Sequence, residues 1–530
     1  MSEETKIPVL IVGGGYAGLS TSLFLAHQGV PSMLVDRHPG IPIQGRARGL
    51  NQRSLELFRP LGIERAVIDA GRPFKNDRGV ARCTNLAGEW EWLFEPDATL
   101  QWAGTSPSDF CLADQSTVEP ILIEAARQRG AQHCFGTELL SFDNMDSGVL
   151  AVVADCGSGQ QRTILADFLV AADGHRSSIR EQVQIARPVT APGQHMANIL
   201  FDADLSAVIV QRAIFWIVLN QEIGFGALVA TSTPGRWSVG VGFDPGREQL
   251  ADFDQTRCEG IIRAVTGLPE LSCTVINVGR WEQTTGMAQH YRKGRVFLVG
   301  DSAHVWPPAG AMGANTAIQD AHNLSWKLAL HLRGMAGEAL LDSYEAERRP
   351  VAVALSEFVE KRQKARFSGQ VEIDGLDDHT CILGQRYHSD AIINAPSLAV
   401  FGQTIARRAE AGARAPHAWL EHQGKRISTL DLFHDAFVLL SEDPAWIAAA
   451  EGMANCSGLP VRAFLVGAGA AALIDIELTW RSVYGIAPHS AVLVRPDGYV
   501  AWIGGSDDGG GMERLFAVFD QLLNGHRCAI

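Results

Sequence analysis

Apolar residues run together in two short blocks that lie almost three hundred positions apart. Val9–Val12 and Val296–Val299 are each unbroken, the pattern of a strand buried on both faces of a parallel sheet. Gly13 follows the first block and Gly300-Asp301 the second. Beyond the first turn the pattern predicts a helix and then a strand, Ser32–Val35, ending at Asp36. Beyond the second, Ile318, Ala321, Leu324, Leu328 and Leu332 recur at about helical spacing, which puts Asn315 near a helix start. Between residues 190 and 285 the pattern changes to "ANILFDADL", "RAIFWIVLN", "GFGALVAT" and "RWSVGVGF". These are aromatic, strand-like segments separated by turn residues. A long helix is predicted over "RRPVAVALSEFVEKRQKARF", followed by a looser stretch, Ser368–Asp378. From about residue 405 strand and helix patterns alternate, and Asp497-Gly498 reads as a hairpin turn.

The first turn has chemistry in it. Gly13, Gly15 and Gly18 stand in GxGxxG spacing between a strand and a helix. The first glycine permits the tight turn, the second lets backbone approach a pyrophosphate, and the third lets helix pack on strand. Free N–H groups at the helix start favour phosphate, and Asp36 is placed to accept from a ribose hydroxyl. That carboxylate disfavours a 2′-phosphate, so the ligand is NAD or FAD, and this turn alone does not separate them. The second turn does. Asp301 ends a strand, and Gly310, Gly313, Ala314 and Asn315 precede a helix. One NAD does not need two such anchors, whereas an extended FAD does, one for its ADP end and one for its flavin end. Asp301 would take a ribityl hydroxyl, and the Gly310–Asn315 amides the flavin edge where reduced flavin carries negative charge.

Composition narrows the rest. The 530 residues allow two to four domains. A net charge of −14 argues against nucleic acid. No window approaches ~18 uninterrupted apolar residues, so no membrane span is expected. The start "MSEETKIPVLIV" lacks a basic segment and a cleavage site. Nine dispersed cysteines without a CxxC fit buried thiols in a reducing cytoplasm, and no metal is expected.

"GGGYAGL", "LVAADGHRSSIR" and "GRVFLVGDSAHVWPPAGAMGANTAIQDAHNLSWKLA" together resemble the three fingerprints of the class A FAD-dependent aromatic hydroxylases, the single-component flavoprotein monooxygenases. "LLDSYEAERRPVA" resembles the helix that follows in them, and the likeness covers roughly residues 5–370. Chain length and "GARAPHAWL…STLDLFHDAFVLL" resemble the aromatic polyketide branch. The resemblance implies an α/β (α+β overall) fold. Residues 1–185 and 286–370 would be a split Rossmann-like FAD-binding domain, 186–285 an inserted β-sheet substrate domain, 371–404 a linker, and 405–530 a thioredoxin-like C-terminal domain. It implies that Gly13, Gly15, Tyr16, Ala17, Gly18, Asp36 and Arg37 hold the ADP part, with Arg46 reaching pyrophosphate or flavin and Arg48 competing for that role. Gln115 would lie by the FAD chain, Asp173-Gly174 near the pyrophosphate, Asp301 on the ribitol, and Pro308 with Gly313, Ala314 and Asn315 beside the isoalloxazine. Three departures stand out: Tyr16 where the family often has Pro, Asp36 where Glu is commoner, and Ala309–Met312 in place of a more polar or Gly-rich loop.

The implied reaction is hydroxylation of an aromatic, polycyclic phenolic substrate by O2 through a flavin hydroperoxide, with NADPH or NADH as transient co-substrate. The protein must orient the ring and exclude water. A phenol reacts best as phenolate, so a nearby cation would help; the sequence names none, and no catalytic residue is assigned. His304 reads as a structural hydrogen-bonding group. Phe215, Trp216, Phe225 and Trp237 are candidates for a flat pocket wall, although alternation puts only half of each strand toward it. Small-phenol hydroxylation, Baeyer–Villiger-type or quinone-forming oxygenation, and an FAD-binding assembly or protective protein without turnover are the alternatives. A halogenase fits less well, since "EWEWLFEP" lacks that family's WxWxIP motif. The C-terminal domain holds Cys456 and Cys528 without a CxxC, so packing or subunit contact is its expected role in a monomer or homodimer.

Overall fold

The computed structural model describes residues 5–44, 47–94, 104–209, 211–308, 310–368, 377–396, 399–402, 405, 408–467, 473–505 and 511–523. Arg46 and Ala309 lie outside them. Five helices matter most below: α1 (Tyr16–His27), α2 (Gln52–Phe58), α3 (Met312–Leu332), α4 (Glu338–Ser368) and α5 (Asp378–Leu383).

The apolar blocks form the centre of an eight-stranded sheet. Its main path runs Arg292–Lys293, Val296–Leu298, Gln161–Ala171, Thr5–Val12, Ser32–Asp36, Gln132–Phe135. The four strands from Val296–Leu298 to Ser32–Asp36 are mutually parallel, and Val9, Leu10, Leu169, Val170, Val296 and Phe297 have no exposed surface. That double burial is why they lack alternation. Helices α1 and α3 pack on this sheet through Leu19, Leu23, Ile318, Ala321 and Leu324.

A second eight-stranded sheet is built from the 190–285 region: Thr274–Met287, Val189–Asp202, Arg236–Phe243, Gly224–Ala230 and Phe215–Asn220, in that order. His304–Val305 adds to one edge, and Val80–Cys83 with Trp90–Phe94 extends the other. The expected division of the chain therefore needs correcting at residues 80–94, which leave the cofactor half and join this sheet by parallel pairing of Val80 with Phe215. Their link is spatial, so no local pattern announces it.

The C-terminal part has a four-stranded sheet, Val461–Leu465, Phe437–Ser441, Ala491–Val494, Val500–Gly504. Its first two strands are parallel and joined through the helix Pro444–Ser457; the rest are antiparallel. Gly498 takes φ +79° in the turn between the last two strands, where a glycine is needed. That arrangement is the expected thioredoxin-like one. Among the described residues no helix is long and apolar enough to cross a membrane.

Candidate functional site

Parallel pairing sets the position of the site. Val12 is registered with Ala171, and Ala171 with Leu298. The turns that follow these strands, at Gly13, Asp173-Gly174 and Gly300-Asp301, consequently share one carboxyl edge of the sheet, where open α/β sheets hold ligands. Three motifs scattered over 290 residues meet there because their strands are neighbours.

The glycines of the first turn are required for three different reasons. Gly13 has φ +113°, and a Cβ there would drive into the Ala172 carbonyl. A Cβ on Gly18 would collide with the Gly13 carbonyl oxygen, so glycine is what lets α1 close on the turn. Gly15 meets nothing within 4 Å. It is the N-cap of α1, with no side chain capping that end. Open space in front of uncapped amides is the room a pyrophosphate needs. Gly300, at φ +60°, lies against Ala17 and Ala317, where a Cβ would come within 3.0 and 2.9 Å. It is the point at which α1 and α3 approach.

These turns open on one continuous cleft of ≈1490 Å³. At one end its wall includes Gly15, Tyr16, Ala17, Gln115, Gly174 and Asp301; further along come Pro308, Gly310–Ala314, Gly49 and Asn51. Asp301 is exposed to the cleft and free to accept a hydroxyl proton. The donors and the space fit an extended dinucleotide with its phosphates at Gly15. Gly13, Gly18 and Asp173 lie behind the wall. Asp173 Oδ2 accepts from the Ile179 amide (3.2 Å), while buried Oδ1 has no partner. Burial raises its carboxyl above the ordinary value, against Ser177 and the Ile179 amide.

Asp36 is drawn in toward the turn: Oδ2 accepts from the Gly14 amide at 2.5 Å, and Oδ1 from the His38 amide at 2.7 Å. Arg37 is exposed beside it, away from the cleft wall. Asn315 departs from expectation. Its side chain is buried and fully used within the protein: Oδ1 accepts from the Asn51 amide (2.9 Å) and Ser54 Oγ (2.6 Å), and Nδ2 donates to the Gly49 and Ala311 carbonyls (2.8 and 2.6 Å). It joins the first turns of α2 and α3 and leaves the wall to Gly313 and Ala314. His304 is structural, donating from Nε2 to Asp320 at 2.6 Å, with Arg348 Nε on the other oxygen at 2.7 Å.

Strand alternation sorts the aromatic candidates. Phe215, Ile217 and Leu219 line the cleft, as do Phe225, Ala227 and Val229, and Asn198, Leu200, Ser238 and Gly240 from neighbouring strands. Trp216 and Trp237 fall on the opposite parity and belong to the core behind the sheet. Trp216 is 3% exposed, packed edge-on to Trp90 at 5.3 Å, and Trp237 Nε1 donates to the Ala203 carbonyl. Both are corrected from pocket wall to core; period two forbids adjacent residues from sharing a face.

Residues that motif reading missed close the cleft from outside. Thr105, Phe358, Arg362, Asp377–Thr380 and Ile405 also line it. Thus α5, expected within a linker, is part of the site. Arg362 pairs with Asp378 and lies next to Gly310. Phe358 and Arg362 are one helical turn apart, a face that period alone does not distinguish from core. Arg48 also lines the cleft, half-buried over the Phe74 ring at 4.6 Å, 3.3 Å from Asp114, with Nη2 unpartnered. Behind Tyr16 sits Glu119: Oε1 accepts from Gln115 Nε2 at 2.6 Å, Oε2 has no partner, and burial pushes the carboxyl up to about 7.

Comparison with known proteins agrees with this geometry. Residues 6–359 match a family model described as FAD binding domain, and 408–523 one described as Aromatic-ring hydroxylase, C-terminal. A putative polyketide hydroxylase of Streptomyces halstedii is 39% identical over 94% of this chain and 93% of its own. Tetracenomycin A2 monooxygenase-dioxygenase of Streptomyces glaucescens is 38% identical over 95% and 94%. A crystal structure of aklavinone-11 hydroxylase with FAD and aklavinone superposes with a TM-score of 0.88 at 34% identity, covering 99% of this chain and all of that one.

Proposed function

The chain belongs to the FAD-dependent aromatic-ring hydroxylases, and from that membership we propose that its substrate is a flat polycyclic phenol of the polyketide type, lying along the second sheet. It is an FAD-dependent monooxygenase that uses NAD(P)H and O2. The observation that carries the substrate reading is the single cleft. At ≈1490 Å³ it exceeds the roughly 300–1,000 Å³ of a one-ligand pocket and runs unbroken from the glycine turn to the sheet. A dinucleotide and a multi-ring ligand fit end to end; a monocyclic phenol would leave the sheet end wet.

The residue roles follow the same axis. On this reading the Gly13–Gly18 turn, with Asp36 behind it, holds the ADP part, Gln115 and Gly174, backed by Asp173, the middle, Asp301 the ribitol, and Pro308 with Gly313 and Ala314 the isoalloxazine, while Arg37, away from the cleft wall, drops out of the set. Residues 1–185 and 286–370, less the 80–94 hairpin, form the cofactor-binding part. When bound, FAD takes electrons from NAD(P)H and activates O2. The chain's own contribution is threefold. Phe215, Ile217, Phe225 and Val229 present an apolar face to a planar ring system and keep water from it. Asn198 and Ser238 offer polar atoms at the far edge, Asn198 Oδ1 already oriented by Trp281 Nε1 at 2.9 Å. Arg362, held by Asp378, offers guanidinium N–H donors at the flavin end, and donation to the oxygen favours the phenolate form of the ring to be oxidised.

Anaerobic mixing with NADPH and with NADH, in the presence of polycyclic or monocyclic phenols, tests the reading. Polycyclic phenols should accelerate reduction and gain one oxygen atom under air; acceleration by monocyclic phenols alone would refute it. Arg362→Gln should lower kcat/KM on the order of 100-fold and move the activity profile to higher pH. An unchanged profile would remove Arg362 from the mechanism.

A further inference from the structure

The hairpin turn of the C-terminal part is not at the surface. Arg495 has no exposed surface and Asp497 only 2%. The turn is pushed between α2, α3 and α4. Arg495 donates from Nη1 and Nη2 to Glu347 of α4 at 2.6 and 2.7 Å, and pairs with Asp497. The Asp497 carboxylate accepts from Asn323 Nδ2 of α3 at 3.1 Å, and its carbonyl from Arg53 Nη2 of α2 at 2.6 Å. Lys327 of α3 closes on Glu347 at 2.8 Å. Arg414, also from the C-terminal part, joins Arg53 on Glu56 of α2.

Such a buried set of charges is a poor means of adding stability, because desolvation offsets most of the attraction and apolar residues would serve as well. What it does provide is defined geometry. Two of the three helices it grips, α2 and α3, are those whose first turns meet at Asn315, beside the cleft wall at Gly49 and Asn51 and from Met312 to Ala314. Asn323 and Lys327 lie 8 and 12 positions along α3 from Asn315, or about 12 and 18 Å at 1.5 Å per residue. A rigid helix carries a tilt over that distance.

We propose that Arg495 and Asp497 are positioning residues for oxygenation: the C-terminal turn sets the spacing of α2 and α3 and, through it, the wall against which the flavin lies. This rests on reading that wall as the flavin side. It gives the C-terminal part a task in the reaction beyond packing.

Asp497→Asn tests it, with Met453→Ala as control. Met453 is buried in the Pro444–Ser457 helix, where its hydrogen-bond partner is Ser457 and none of these charges, so its truncation loosens the C-terminal part and leaves the polar contacts of the turn in place. In FAD-free protein, hydrogen exchange of the 312–317 amides should quicken at least tenfold in Asp497→Asn, while amides of the Thr5–Val12 strand stay unchanged. In FAD-loaded protein, peroxide released per NAD(P)H should rise at least threefold. The Met453→Ala variant should show neither change at a matched loss of Tm. Equal behaviour of the two variants, or unaltered exchange at 312–317 in Asp497→Asn, would overturn the proposal. Should Asp497→Asn not fold, Arg53→Lys gives the same readouts through the α2 contact and decides in its place. Failure of the wild-type chain to bind FAD would instead remove the reading of the wall.

Discussion

The turn after the first strand and the loop before α3 bend backbone over the same cleft, yet what holds each in shape differs. At Gly13 and Gly18 of the first turn the missing Cβ atoms are excluded by other backbone, the Ala172 carbonyl and the Gly13 carbonyl respectively. Nothing there can move aside without breaking the strand or the helix. In the second loop the nearest atoms are side-chain ends. Met312 Cε and Arg362 Nη1 stand 3.5 and 3.6 Å from a Cβ on Gly310, and Trp306 Nε1 is 3.7 Å from one on Gly313. Ala311 meanwhile sits at φ +55°, a left-handed conformation that glycine takes freely and alanine does not. The ADP end is thus an anchor fixed by main chain, and the flavin end a wall cushioned by side chains and held by Asn315 and the turn beneath it. A catalyst that must grip a cofactor and still adjust around a ring has reason to be stiff at one end only.

The largest effect should come from breaking the anchor. Gly18→Ala places a methyl on a carbonyl oxygen that cannot retreat, so FAD affinity should fall on the order of 100-fold, about 2.7 kcal/mol. Titration of FAD-free protein by flavin fluorescence measures it. Retained affinity would mean that the turn is as yielding as the other loop.

A smaller effect should sharpen the same end. Glu119 lies behind Tyr16, and its carboxyl is raised by burial to about 7 from an ordinary 4.5. Between those values the folded chain keeps a proton that the unfolded chain releases, so stability falls as pH rises from 4.5 to 7, and the cost persists above 7. Glu119→Gln removes the ionisation. The variant should match wild type near pH 4.5 and exceed it by about 2–3 kcal/mol at pH 8. Denaturant melts of FAD-free protein at several pH values check this, and a difference that does not vary with pH would put the cause elsewhere.

How much of this was readable beforehand follows the same line between backbone and side chain. Gly13, Gly15 and Gly18 could be assigned three separate reasons from spacing alone, because strand, turn and helix are local. Gly300-Asp301 could be joined to them because its block of apolar residues marked a second parallel strand. The sheet face could not be read: adjacent Phe215 and Trp216 are equally aromatic, and which one faces the cleft depends on register with strands elsewhere in the chain. The role of α5 as cleft wall, the burial of Arg495 and Asp497, and the inward turn of Asn315 all depend on other elements of the chain: Asp378 pairs with Arg362, 16 positions away, and the others have partners 148 to 444 positions away. Arg46 lies outside the described residues, and of the two arginines weighed for that role Arg48 is found in the wall.

Two changes probe the cushioned end. Ala311→Gly relieves a left-handed alanine, a conformation costing about 1–2 kcal/mol, while the freer unfolded chain takes back roughly 0.4–1. A net gain of about 0.5–1 kcal/mol in denaturant melts is expected, and a loss would show that the Ala311 methyl packs usefully against Gly49.

Gly313→Ala should do least of all. Its φ is not in the left-handed region and its new methyl would touch Trp306 at an ordinary contact distance. Alanine is also the better helix former by about 1 kcal/mol in an interior position, and less in this first turn of α3. FAD affinity should stay within about threefold of wild type, since 0.6 kcal/mol is the scale of such a contact. A drop like that of Gly18→Ala would mean the flavin itself presses on this carbon, and the wall would then be as unforgiving as the anchor. Running the two alanine substitutions side by side measures the asymmetry directly, because the residue added is the same and only the neighbours differ.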